Sequence, residues 1–395
     1  MIADTVAAVL VLVAIAYAAL AGADFGGGIW DLLAGSATRG RAARDRIDHS
    51  ITPVWESNHV WLIIMVVVLW TGFPIAFGWI FTTLFVPLSA AALGIVLRGA
   101  GFAFRPEVRA MRWEPVAGAV FAFASLLTPF FLGTAVGAVV TGQVHGSNGD
   151  PAAAWVNPTS LLTGALFVAF SAYLAAVYLA VDSERGGEPE LRRYFTRRAF
   201  AAGVVSGVLA AITMVVLRTS APRIFHILTA GRSLPLVVVS VLAGAAVLGL
   251  LALDRVALIR PLAALAVAAV AAGWAIAQYP ELLPPHLTIA DAAAPTGTLG
   301  TELLVVFIIV VVVGPSFGLL FWLSQRGHLG ETEVTSASML TREADPSGAA
   351  VATAPDGTAG SPPGRPSGLI TLAVIALVAA RRSQRRRRDR ASVRT

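Results

Sequence analysis

Nine long apolar runs constrain this chain more than any other feature. They fall at about 2–22, 54–72, 77–99, 116–139, 159–181, 199–217, 234–252, 261–279 and 303–325. Crossing about 30 Å of hydrocarbon takes about 20 apolar residues of α-helix. Each run is long enough or nearly so, and polar residues cluster between them. Only 13% of the 395 residues are charged and 56% are hydrophobic, against about 25% charged in soluble domains. The expectation is an all-α, polytopic membrane protein with nine transmembrane helices. Thr71-Gly72-Phe73-Pro74 separates the second and third runs with a tight turn signal, so that pair reads as a helical hairpin. The first run has no basic segment before it and continues into a glycine motif, so it reads as a span and not as a cleaved leader.

The basic residues, 29 in all and every one an arginine, report orientation. Arg39, Arg41, Arg44 and Arg46 follow span one. Arg98, Arg105, Arg109 and Arg112 close span three, and Arg185, Arg192, Arg193, Arg197 and Arg198 follow span five. The connections after spans two, four and eight hold none, and only Arg218, Arg223 and Arg232 after span six run against the pattern. Because arginine-rich loops stay in the cytoplasm, the N-terminus is expected outside and the C-terminus inside, a parity that nine spans satisfy. The high pI therefore does not point to nucleic acid. With no cysteine in the chain, disulfides and thiolate-held metals are excluded.

Residues 1–328 read as one membrane domain. From 329 to 367 the chain turns to Gly, Ala, Ser, Thr and Pro with scattered acids, the composition of a disordered linker. Residues 368–395 carry the apolar run Leu369–Ala380 and the cluster Arg385 to Arg388. Twelve helical residues reach only about 18 Å, too short to span. The expectation is a tether at the inner surface or a dispensable tail.

Polar groups inside such a chain are costly, roughly 2.5–3.5 kcal/mol each at a helix centre, and usually face a protein interior or an ion path. Pro53-Val54-Trp55-Glu56-Ser57-Asn58-His59-Val60-Trp61 opens span two with an acid, an amide and an imidazole within four residues. Glu56 and His59 are three apart and share a helix face. Span one ends in Asp24-Phe25-Gly26-Gly27-Gly28-Ile29-Trp30-Asp31, whose glycines admit a close neighbour or a turn with positive φ. Asp24 and Glu56 both lie towards the cytoplasmic end, where they either take up protons or cap helices and pair with arginines. Arg98 is placed to snorkel or to pair with a buried acid. Of the six histidines, His49, His59, His145, His226, His286 and His328, only His59 falls within a long helix body. A membrane b-type haem generally takes two axial ligands from facing helices, so no haem is expected on this chain alone. Trp30, Trp55, Trp61, Trp70 and Trp79 mostly suit an interfacial aromatic belt. Gly314-Pro315 should kink or loosen span nine, and residues 287–292 read as an ordinary polar outer loop. No nucleotide loop, serine-histidine-acid set or metal cluster is legible.

Taken together, Ala23-Asp24-Phe25-Gly26-Gly27-Gly28 and Pro53–Ile63, with the Trp-acid-x-Asn-x-Val-Trp-Leu pattern, resemble subunit II of cytochrome bd-type quinol oxidases. The Phe73-Pro74 turn, the Phe102–Arg105 stretch, Tyr279-Pro280 and Pro315 fit the resemblance in order, over about 1–328. It implies two four-helix bundles plus one peripheral helix, paired across a pseudo-twofold with a haem-bearing subunit I. That partner would carry haem b and haem d and the quinol site, and the complex would reduce dioxygen with protons from the cytoplasm of a bacterial plasma membrane. Membrane lipid and quinone are further expected contacts, and nucleic acid is not. By the same resemblance Glu56 and Asp24 stand on a proton pathway, and Trp61 stands where some members have a tryptophan near an oxygen-access route. Gly26, Gly27, Gly28, Trp55 and Asn58 are assigned to subunit packing, while His59 inherits no role. Glutamate at position 56, where aspartate is common, is a departure from the family pattern. Two functions follow: an accessory oxidase subunit, conducting or purely structural, and a self-contained transporter coupled to protons through Asp24 and Glu56. The extended motif favours the first.

Overall fold

The computed structural model describes residues 1–36, 39–51, 55–103, 114–146 and 150–325. The expectations for the linker, the tail and the Phe104-Arg105 end of span three lie outside these residues. So do the side chains of Trp55 and Glu56, whose backbone is helical.

The helices are α1 (Ile2–Leu32), α2 (Arg41–Ile51), α3 (Trp55–Gly72), α4 (Pro74–Thr83), α5 (Phe85–Ala103), α6 (Glu114–Val140), α7 (Pro151–Trp155), α8 (Pro158–Arg185), α9 (Pro189–Ser220), α10 (Pro222–Ala230), α11 (Leu234–Ala252) and α12 (Ile259–Gln278). Strands β1 (Glu281–Leu283) and β2 (Leu287–Thr288), helix α13 (Ile289–Ala292) and the long α14 (Thr296–Gln325) complete the described chain. Among the described residues seven helices can cross a membrane by length and composition, and an eighth span is available if α3 and α4 count as one. The chain is thus a polytopic helical membrane protein.

Three expectations change in detail. Span one does not end before the glycine motif, because α1 continues through Gly26, Gly27 and Gly28 to Leu32. None of the three has a positive φ; their use is close packing, and no turn forms there. Span three is two helices. Pro87 has no N–H to give Thr83, so the ladder breaks at Leu84, although Leu84 and Leu88 still donate four residues back. The stretch 287–292, read as an ordinary loop, pairs Leu287–Thr288 antiparallel with Glu281–Leu283 and continues as α13, and Leu283, Leu287, Ile289 and Ala292 enter the core. The described residues are therefore all-α apart from one small hairpin. The turn at Phe73 does divide α3 from α4, with a bend of 118°, and α14 stays helical through Pro315.

Helix α8 is the centre of the packing. Its inward face is small (Ser171, Ala172, Ala175, Ala176, Ala180), which lets backbones approach where no hydrophobic effect drives helices together. It packs against α1, α6 and α9. A Cβ on Gly26 would overlap the Ser171 carbonyl, and one on Gly22 would lie 3.3 Å from Leu174. Gly22 and Gly26 are therefore a small-xxx-small contact within the chain. At one end of α1, Ile29 and Trp30 join a core with α2, α8, α9, α11 and α12. At the other end Val6 and Ala7 join a second core with Phe73, Ala76, Leu84 and the hairpin. α1 thus threads both cores and carries the polar centre between them.

Ion pairs tie together the helix ends nearest the arginine-rich connections. Arg44 Nε meets Asp31 at 2.8 Å, Arg260 meets Asp182 at 2.7 Å, and Arg192 meets Asp254 at 2.6 Å. Arg46 Nε donates to Glu188 at 2.7 Å.

The α1–α8 contact gives a direct stability prediction. Gly26→Ala forces backbone separation and should destabilise the detergent-solubilised protein by about 1–3 kcal/mol, lowering its thermal midpoint. Gly78→Ala, where an added Cβ meets nothing within 4 Å, should leave the midpoint unchanged or raise it.

Candidate functional site

The polar centre forms where α1, α5 and α6 meet. Arg98, on α5, is 2% exposed, and Asp24, on α1, is 3% exposed. Arg98 Nη2 donates to Asp24 Oδ1 at 2.6 Å and Nη1 donates to Oδ2 at 2.8 Å, a two-point fork. Nη2 also donates to the Asp24 backbone carbonyl at 2.9 Å, and Nε to Ser125 Oγ on α6 at 3.2 Å. Ser125 in turn donates to the Phe121 carbonyl at 2.8 Å. The guanidinium lies 5.2 Å from the Phe25 ring centroid and 5.1 Å from that of Phe121. Planar arginine suits this place because it forks onto a carboxylate and stacks between aromatic faces, neither of which lysine does.

Gly28 makes room for the arrangement, since a Cβ there would overlap the Ser125 side chain. Gly27 is buried in the same turn. On α3, Asn58 is buried and its Nδ2 donates to the Leu20 carbonyl of α1 at 3.4 Å. His59 is half-buried, with its ring centroid 6.2 Å from that of Phe25. Trp61 packs against the buried group Tyr17, Ala21 and Phe25, beside Leu62, Ile95 and Leu132. The structure thus brings Asp24, Gly28, Asn58, His59 and Trp61 around one polar knot, and places Gly26 on its α8 side. Glu56 begins the same helix as Asn58, one turn or less before it.

Two buried polar residues escaped the sequence reading. Tyr17, two helical turns before Asp24, is 7% exposed, and its hydroxyl has no hydrogen-bond partner among the described residues. Glu302, on α14, is 9% exposed and lies against the α3–α4 corner. Thr71 Oγ1 is 2.7 Å from Glu302 Oε1 and 2.8 Å from the Val67 carbonyl, and its one proton serves only one of them. A Cβ on Gly72 would sit 2.7 Å from Glu302 Oε2. A lone acid immediately before the Leu-Val-rich run of span nine was the available signal.

Chemically, the centre fixes charge. Both Asp24 oxygens are engaged by one cation, and the three helices that supply the partners cannot separate without exposing a charge to an apolar core. Breaking such a pair by removing one member costs about 3–5 kcal/mol, because the other is left buried and uncompensated. Arg98→Met should therefore abolish stable accumulation of the protein in membranes. Adding Asp24→Asn to Arg98→Met should restore a substantial part of it. Immunoblots of membrane fractions and thermal unfolding in detergent measure both.

The family model for cytochrome bd terminal oxidase subunit II matches residues 2–324. Cytochrome bd ubiquinol oxidase subunit 2 of Bacillus subtilis (strain 168) is 31% identical over 114 residues, covering 29% of this chain and 33% of that protein. Cytochrome bd-I ubiquinol oxidase subunit 2 of Escherichia coli (strain K12) is 25% identical over 194 residues, 47% of this chain and 50% of that protein. The aligned stretches thus span a third and a half of these two relatives. The bd oxidase from Geobacillus thermodenitrificans has a chain of similar fold, with a TM-score of 0.68 and 22% identity, covering 84% of this chain and 99% of that one. With the family match running through every described transmembrane helix, the chain belongs to the cytochrome bd terminal oxidase subunit II family.

Proposed function

We propose that this chain is the haem-free subunit II of a bd-type quinol:oxygen oxidoreductase. It braces a haem-bearing subunit I and helps to bring protons from the cytoplasm towards the haems of that partner. The observation that carries the reading is the family match over residues 2–324, with the motif residues Asp24, Asn58 and Trp61 gathered around one buried centre. Nine passes follow if α3 is one pass and α4 with α5 another. α14 is the natural peripheral helix: Leu304, Phe307, Val310 and Val311 are all exposed on it. An apolar helix so little covered by its own chain needs lipid or a partner subunit against it. The arginine-rich ends of α2 and α9 support an orientation with the N-terminus outside.

The histidines support placing the haems in the partner. A bis-histidine haem needs ligands on facing helices. His145 and His286 do meet, with ring centroids 5.3 Å apart, but they stand on connections after α6 and within the β1–β2 hairpin. That donor set does not fit a haem between helices, so no step passes through a haem on this chain.

Within this reading Glu56 and Asp24 have different parts. Asp24, with both carboxylate oxygens engaged by Arg98, holds the electrostatic end point of the pathway in place. Glu56, at the first turn of α3, is the group that exchanges protons. Trp61, packed beside Phe25, lines the neighbouring apolar side, where an oxygen route would run. Quinol and dioxygen chemistry belongs to the partner.

Glu56→Gln removes the exchangeable proton with little change in shape. Quinol-oxidase turnover of the assembled complex should fall by at least about tenfold, with the haem spectrum unchanged. Full turnover in that variant would remove Glu56 from the pathway, and loss of the haem spectrum would make its role one of assembly.

A further inference from the structure

Three arginines near the start of α9 are arranged for something outside the chain. Arg193, Tyr194, Arg197 and Arg198, with Glu190, line an open cleft of about 320 Å³. Among the described residues, no carboxylate pairs with Arg193, Arg197 or Arg198, whereas neighbouring Arg192 meets both Glu184 and Asp254. Arg193 and Arg197 are exposed. Arg198 is held in place: its guanidinium lies 3.3 Å from the Tyr194 ring centroid and 5.8 Å from that of Trp30. Stacking of this kind occupies the face of a guanidinium and leaves edge N–H groups for an anion. The Tyr194 hydroxyl is buried and has no acceptor among the described residues. Three cations and an idle donor thus converge, opposed only by Glu190.

The same face of α9 continues as a greasy track. Arg193, Arg197, Phe200, Val204, Val208, Ile212 and Val215 recur every three or four residues, the spacing of one helix face. Phe200, Val204 and Val208 are 41%, 42% and 53% exposed. From Arg197 to Val208 the helix rises about 16 Å, roughly half of the about 30 Å hydrocarbon core. A cationic cup at a membrane surface, with one leaflet's depth of exposed apolar helix below it, has the outline of a phospholipid. We infer that the cleft at Arg193, Arg197 and Arg198 binds the phosphate headgroup of an anionic phospholipid, whose acyl chain lies along Phe200, Val204 and Val208. This assignment depends on the chain lying in a membrane and not on its role in an oxidase.

The test uses the full assembled protein in detergent, exchanged against micelles containing either phosphatidylglycerol or zwitterionic phosphatidylcholine. Native mass spectrometry then counts the retained lipid. One phosphatidylglycerol should persist on the unaltered protein and phosphatidylcholine should not. Arg193→Gln/Arg197→Gln should reduce its occupancy by about tenfold or more, given the contribution of each basic residue near an anionic surface. Arg255→Gln, which removes an exposed arginine from the α11–α12 connection, should leave it unchanged. Equal retention of the two lipids by the unaltered protein, a comparison that needs no variant, would overturn the assignment. So would undiminished phosphatidylglycerol in the double variant. Displacement by millimolar inorganic phosphate would make the cleft a free-anion site and not a lipid site. A photoreactive residue at Val204 that couples to another polypeptide, with no lipid adduct, would make the face a protein interface and would equally contradict it.

Discussion

The buried pair of Asp24 and Arg98 is the interaction around which the rest of the molecule is arranged. A charge in the hydrocarbon layer is tolerated when it is matched, hydrogen-bonded and shielded. Here all three conditions are met by residues from different helices: the carboxylate from α1, the guanidinium from α5, Ser125 and Phe121 from α6, and Phe25 again from α1. The register of three helices is set by one fork. The glycines follow from it, because Gly28 must be small to admit Ser125, and Gly26 must be small to bring α1 onto α8. Asn58 then fixes α3 to the same turn of α1.

Such a centre suits a subunit that must present a stable surface and a fixed electric field to a reactive partner. A carboxylate forked by a guanidinium that is itself held by a serine and two aromatic rings is a good reference charge. In the proposed reading the carrier is Glu56, whose backbone lies in the first turn of α3.

Much of this was legible in the sequence because lipid imposes a simple rule: long apolar runs become helices. All nine runs are helical in their described residues, with one run divided at Leu84 and another prolonged to Leu32. The motif around Asp24 and the Asn58-His59-Val60-Trp61 run marked the polar centre, and Arg98 stood out as a charge at the end of a span. An arginine partner for Asp24 and a buried acid for Arg98 were among the readings open in the sequence; that the two meet each other depends on how α5 leans on α1 and α6, which no local pattern encodes. The three glycines read equally well as a turn or as a packing face; only the Ser171 and Ser125 neighbours decide between these. Tyr17 and Glu302 were hidden for a different reason. A single polar residue in an apolar run looks like noise until its surroundings exclude water. The hairpin at 281–288 was hidden because its short segments carry too few residues for a period-2 pattern, although Leu283 and Leu287 bury as a strand pair would.

The account as a whole is best tested by isolating this chain from its native membrane under mild conditions and recording a reduced-minus-oxidised spectrum. The expected result is co-purification with one larger membrane polypeptide and haem bands that stay with that polypeptide when the two are separated. A chain that emerges alone, haemless and stable in detergent would contradict the account and favour a self-sufficient proton-coupled transporter. Haem that stays on this chain after separation would contradict it as well.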